Sequence, residues 1–239
     1  MFTTLADRAV RRVRSWRYGE PIVVVSGLPR SGTSLVMQML QAGGIPIFTD
    51  HVRAADGDNP RGYLEYEPVK HLATTTDRRW LRDARGQALK VVSYFLRYLP
   101  PEHNYDILFV ERDLGEIVAS QDRMLSRRGA DVATEPPATR RLLETHLSEV
   151  RREMRRNRAF RVLDVSHRSL ITSAGDEAIR IQTFLERDLD LVAMARIVDP
   201  ALHRNRSVQE ARTSIQNQNS DFETGTQNSD VSSDRDSAF

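Results

Sequence analysis

Three things are scarce or missing in this chain of 239 residues, and each removes a class of chemistry. There is no cysteine, which excludes disulfides, cysteine-ligated zinc and thiol catalysis together. There is no run of eighteen apolar residues, so no integral membrane segment is expected. The early arginines Arg8, Arg11, Arg12, Arg14 and Arg17 are not followed by an apolar core of signal-peptide length. Lysine is nearly absent: Lys70 and Lys90 stand against thirty-three arginines.

What is present suits one principal domain with a full hydrophobic core, and cytoplasm is the expected compartment. The net charge of +2 is unevenly spread. After Arg206, six acids face two arginines, so residues 1–206 carry +6, as befits a protein that binds a nucleotide with several phosphates. Arg140, Arg141, Arg151, Arg152, Arg155, Arg156 and Arg158 alternate with Glu144, Glu149 and Glu153. Mixed signs at helical spacing read as a solvated helix face, so no nucleic-acid partner is expected. Residues 1–19 read as a leading amphipathic helix with a solvated face, the alternative being a helix on a membrane surface. Residues 207–239 are rich in Ser, Gln, Asn, Asp and Thr and are expected to be a disordered polar tail.

Between them, apolar β-branched runs predict strands near 22–26, 89–92, 107–111 and 161–165. Helices are expected near 1–16, 33–43, 67–82, 114–127, 138–157, 176–186 and 189–198, with Pro136-Pro137 opening the long one and Asp176 as a cap. The alternation predicts an α/β fold: a three-layer, P-loop-type parallel sheet flanked by helices.

The most informative segment is Gly27-Leu28-Pro29-Arg30-Ser31-Gly32-Thr33-Ser34. It keeps the G-x-x-x-x-G frame of a phosphate-binding loop between an apolar strand and a helix, but Thr33 stands where nucleoside triphosphatases place lysine. The glycines permit a tight turn, backbone N–H groups and the helix dipole attract an anion, and Arg30 is the loop's one cation. Further on, the strand Ile107-Leu108-Phe109-Val110 delivers Arg112 to the carboxyl edge of the sheet, where doubly wound proteins place ligands. Ser120 falls on the inward face of the next helix with Ile117, Gln121 and Met124.

Leu28 to Ser34 resembles the 5′-phosphosulfate loop of sulfotransferases that use 3′-phosphoadenosine 5′-phosphosulfate (PAPS). Arg112 followed eight residues on by Ser120 resembles the pair that holds the donor's 3′-phosphate in that family. Leu89-Lys90-Val91-Val92 resembles its central strand, with Lys90 at the family lysine. Val92 occupies the position of the cytosolic branch's catalytic histidine. The resemblance covers residues 20–206 and includes Thr183-Phe184-Leu185 and a basic exit segment with Arg204 and Arg206.

That resemblance implies in-line transfer of a sulfuryl group from PAPS to a hydroxyl or amine of a small-molecule, glycan or lipid acceptor. It leaves adenosine 3′,5′-bisphosphate and requires no metal. Pro29, Arg30, Ser31, Gly32, Thr33, Ser34, Arg112 and Ser120 would bind the donor, and Arg30 and Lys90 would neutralise developing charge. The segment Asn59 to Glu67 resembles one in bacterial members and makes Glu65 the first choice of base, with Glu67 and His51 as competitors. Tyr63 and Tyr66 are expected to line the acceptor pocket. Two alternatives stay open: a phosphate-transferring P-loop enzyme with Glu111 as magnesium ligand, and a sulfotransferase-like domain without turnover. The acceptor's identity and the oligomeric state are not legible in the sequence.

Overall fold

In a computed structural model, residues 5–50, 52, 62–127 and 136–198 are described. The polar segment 207–239, His51, residues 59–61, Arg204 and Arg206 lie outside them. In chain order the regular elements are α1 (Leu5–Tyr18), β1 (Ile22–Gly27), α2 (Thr33–Ala42), β2 (Ala88–Lys90), β3 (Tyr105–Glu111), α3 (Leu114–Arg127), α4 (Pro136–Arg156), β4 (Phe160–Ser166), α5 (His167–Thr172), α6 (Ala174–Leu185) and α7 (Leu191–Ile197).

The four strands form one parallel sheet in the order β2-β1-β3-β4. The period of two along each strand divides its side chains between two cores. Val23 and Val25 of β1, Leu108 and Val110 of β3 and Val165 of β4 pack with α2, α5, α6 and α7. Ile22 and Val24, with Leu89, Ile107 and Phe109, pack on the other face with Val150 and Met154 of α4. Helical layers thus cover both faces of an α/β sheet, as the sequence predicts. Ile22–Val25 of β1 and Ile107–Val110 of β3 are continuous apolar runs because each side chain is buried whichever way it points, contributing about 1.5–3 kcal/mol apiece.

Three expectations need correction. The single helix over 67–82 is two short 3₁₀ turns, Glu67–His71 and Arg79–Arg82. Thr74 Oγ1 donates to the His71 carbonyl, and Thr75 Oγ1 accepts from Asp77 N, so side chains capture the backbone groups a helix would use. The strand over 89–92 ends at Lys90, and Ser93–Tyr98 forms another 3₁₀ turn. Asp176 does not cap α6, whose N-cap is Ser173; it lies in the first turn, at the positive end of the dipole.

The leading helix is docked by its charged side. Arg11 pairs with Asp106 at 3.2 Å and Glu186 at 2.6 Å, while Arg14 donates to Asn104 Oδ1 at 2.8 Å and the His103 carbonyl at 2.9 Å. Asp106 is buried in β3 and also takes a two-pronged contact from Arg161, with both distances 2.9 Å. These contacts gather at the amino-terminal edge of the sheet, away from the loop that follows β1.

Candidate functional site

The strand order sends the chain to opposite sides of β1, so the carboxyl ends of β1 and β3 form the topological switch point at which such sheets place ligands. The loop after β1 lies there. At Gly27 (φ 154°) a Cβ would come within 2.6 Å of both the Val110 carbonyl oxygen and Ser31 Oγ, so no side chain fits against β3 at that point. Gly32 (φ 104°) caps α2 in the left-handed region, and a Cβ there would meet His167 Cδ2 at 2.6 Å. Among the described residues no side chain caps α2, and while the Leu35 and Val36 N–H groups donate to the Gly32 carbonyl, those of Thr33 and Ser34 lie at the positive end of the dipole, where an anion is favoured. Ser26 Oγ and Ser31 Oγ are enclosed without a hydrogen-bond partner among the described residues, a state that is rare unless something polar completes it.

Three strand ends deliver three cations to this edge. Arg30, in the loop after β1, adopts φ 70°, and its Nε donates to Ser120 Oγ at 3.1 Å. Among the described residues no carboxylate pairs with it. Lys90, the last residue of β2 and only 7 % exposed, donates to Ser34 Oγ at 3.1 Å, the Tyr63 carbonyl at 3.3 Å and Glu65 Oε1 at 3.1 Å. Arg112, just past β3, donates from Nη1 to the Arg30 carbonyl at 3.1 Å and pairs through Nε with Glu116 at 2.8 Å. Arg112 and Ser120 therefore both reach the loop, but each through Arg30 and not through one another.

The segment after residue 61 brings the acidic candidates. Glu65 lies between the chain's two lysines, Lys90 at 3.1 Å and Lys70 at 3.9 Å. Its carbonyl accepts from Thr49 Oγ1 at 2.7 Å, and Leu64 before it is held at φ 49°. Glu67 pairs with Lys70 at 2.7 Å. Asp50 accepts from the Glu67 and Val52 N–H groups. Its burial pushes the carboxyl up, but those two bonds outweigh it and hold the carboxyl below the usual range. His51 lies outside the described residues. Tyr63 is buried with Lys90 Nζ 5.6 Å from its ring centre. Tyr66 does not join it; it packs between Phe48 and Trp80 at 4.6 and 5.0 Å in the core beneath.

Backbone strain gathers at the same place. Of the three described non-glycine residues with positive φ, Arg30 and Leu64 flank the Lys90 contact, while Glu186 is an ordinary helix end. Such conformations cost about 1–3 kcal/mol each and persist where surrounding contacts hold them, commonly at functional sites.

Sequence reasoning missed two features nearby. His167 is buried against Gly32 at the start of α5, a six-residue helix that carries no clear periodicity. The available signal was Ser166-x-x-Ser169, where Ser166 Oγ accepts from Ser169 N at 3.3 Å. Ser93, three residues past Lys90, is hydrogen-bonded to His146 Nε2 at 2.9 Å, and Tyr94 stacks on that ring at 4.0 Å. Burial pushes the His146 imidazole below its ordinary value, which favours the neutral ring.

No protein-family profile matches this sequence, and no curated protein matches it. Among solved structures it is similar to the sulfotransferase domain from the Synechococcus PCC 7002 olefin synthase. The identity is 16 %, the TM-score 0.46, and the alignment covers 78 % of this chain and 83 % of that one. Similarity at that level adds nothing to the residue-level reading, so the function rests on the site itself.

Proposed function

We propose that this protein is a PAPS-dependent sulfotransferase whose donor lies along the loop after β1. The observation that carries the proposal concerns lysine. In a chain where thirty-three of thirty-five basic residues are arginine, both lysines approach one carboxylate, Glu65, and the buried one also touches a hydroxyl of the loop. Lysine offers a compact, mobile point charge that arginine does not. A buried cation shared between a phosphate-loop hydroxyl and an acid is placed to serve donor and acceptor together.

In this reading the α2 N-terminus and the Thr33 and Ser34 hydroxyls hold the 5′-phosphate. Arg112 and Ser120 hold the 3′-phosphate, and Arg30 lies between them. The acceptor oxygen attacks sulfur, and a new S–O bond forms as the bond to the bridging phosphate oxygen breaks. The electron pair leaves on that oxygen, where Lys90 and Arg30 neutralise it, and the acceptor's proton passes to Glu65. As Lys90 shifts toward the leaving oxygen it releases Glu65 to act as base.

The rival phosphotransferase reading requires Glu111 to hold magnesium, yet its carboxylate is paired with Arg151, and the loop has no lysine of its own. Calorimetry separates the two. Adenosine 3′,5′-bisphosphate should bind tightly and ATP with magnesium should not. No heat from the bisphosphate at millimolar concentration would sink the proposal. Labelled PAPS with a panel of hydroxyl and amine acceptors then distinguishes an enzyme from a domain that binds without turnover.

A further inference from the structure

The leading helix has its faces reversed. A helix on the surface of a globular protein normally buries its apolar stripe and exposes its charges. In α1 the side that meets the domain is Arg11 and Arg14, held by Asp106, Glu186, Asn104 and backbone carbonyls. The side that meets solvent carries Val10, Val13 and Trp16, which are 59, 64 and 89 % exposed. Single exposed apolar residues need no explanation, but three at a spacing of three along one helix, alongside arginines fixed by ion pairs, do.

The charge around this stripe indicates what covers it. Arg12 and Arg17 are exposed beside it, Arg85 lies against Gly19 at the helix exit, and the stretch from Arg8 to Gly19 contains no acid. Pairing with a second copy would press arginine against arginine. The complementary surface must be apolar beneath and negative above, and it must accept an indole ring at its boundary. A bilayer containing anionic lipid has those properties.

We infer that α1 is a membrane-surface helix, laying Val10, Val13 and Trp16 into the interfacial zone of an anionic bilayer with Arg12 and Arg17 on lipid phosphates. The ion pairs on its other face keep the rest of the domain attached to the helix. This attachment is independent of the reaction proposed above, because it uses the opposite edge of the sheet.

The test uses the full chain with vesicles of phosphatidylcholine and phosphatidylglycerol in equal parts, against vesicles of phosphatidylcholine alone. Flotation should recover the protein with the anionic vesicles only. Tryptophan emission should shift to the blue on binding, and Trp16→Phe should abolish the shift while retaining flotation. Val13→Asp should lower partitioning by roughly tenfold or more, and Arg12→Glu or Arg17→Glu by roughly fivefold or more each, with circular dichroism and bisphosphate affinity unchanged. Equal flotation with both vesicle types, or none with either, overturns the inference. So does a dimer in sedimentation velocity that Val13→Asp dissolves, since the stripe would then belong to a second protein surface.

Discussion

The two edges of the sheet use arginine in opposite ways. At the amino-terminal edge Arg11 and Arg161 converge on buried Asp106, and Glu186 completes the cluster, so each charge is matched and the result is structural. At the carboxyl edge Arg112 is paired with Glu116 and braces the loop, but Arg30 meets a neutral hydroxyl, and Lys90 is shared between Ser34 and Glu65 beside two serine hydroxyls that have no partner among the described residues. Matched charge secures a fold, whereas charge matched by a neutral or movable partner remains available to a ligand. Residue type alone does not separate these roles; the partner does.

The largest way to break this contrast is Asp106→Asn. Removing the acid strands Arg11 and Arg161, so unfolding should become easier by about 3 kcal/mol in a urea titration. Bisphosphate affinity of the folded fraction should stay unchanged, and a loss of affinity would show that the edges are not separable. Next is Arg30→Gly, which removes a cation and a left-handed non-glycine residue at once. Turnover in a PAPS assay should drop on the order of 10²-fold, while stability falls by no more than about 1 kcal/mol. Stability lost without turnover lost would make Arg30 a structural residue like Arg11.

Gly27→Ala sharpens the comparison by leaving every charge in place. The added Cβ must push against the Val110 carbonyl, so a loss of about 1–3 kcal/mol and weaker bisphosphate binding should appear together. The smallest effect is a pH dependence drawn from both ends of the molecule. His103 is held below its ordinary 6.5 by burial and then by Arg85, and His146 by burial. A depressed imidazole contributes stability that is complete above 6.5 and is lost as pH falls through the lower folded value. Melting temperature should therefore decline on acidification below that point. His146→Gln should reduce the slope by only a few tenths of a kcal/mol, because solvent screens a half-buried ring.

The fold was legible because its signals are local. Ile22-Val23-Val24-Val25 has no reading other than a strand buried on both faces, and the loop glycines mark the turn that follows. The loop, Arg112 and Ser120 stood out as candidates for the same reason, and the structure brings all three to one edge of the sheet. The pairing of Lys90 with Glu65 was not, because the two are twenty-five positions apart in the sequence and only tertiary structure brings them to 3.1 Å. Nor was the reversal of α1, whose arginines occupy several sides of the helix. Which of them dock is decided by Asp106, an acid inside an otherwise apolar strand.

The convergence of both lysines on Glu65 has a practical consequence. An amine-reactive reagent such as an activated ester finds only these two side-chain targets in the whole chain, one buried and one accessible, and peptide mapping separates them from the α-amine. Amine labelling is therefore a built-in reporter for this carboxylate: the rate at which Lys90 reacts measures how often the pocket opens, with no engineered probe.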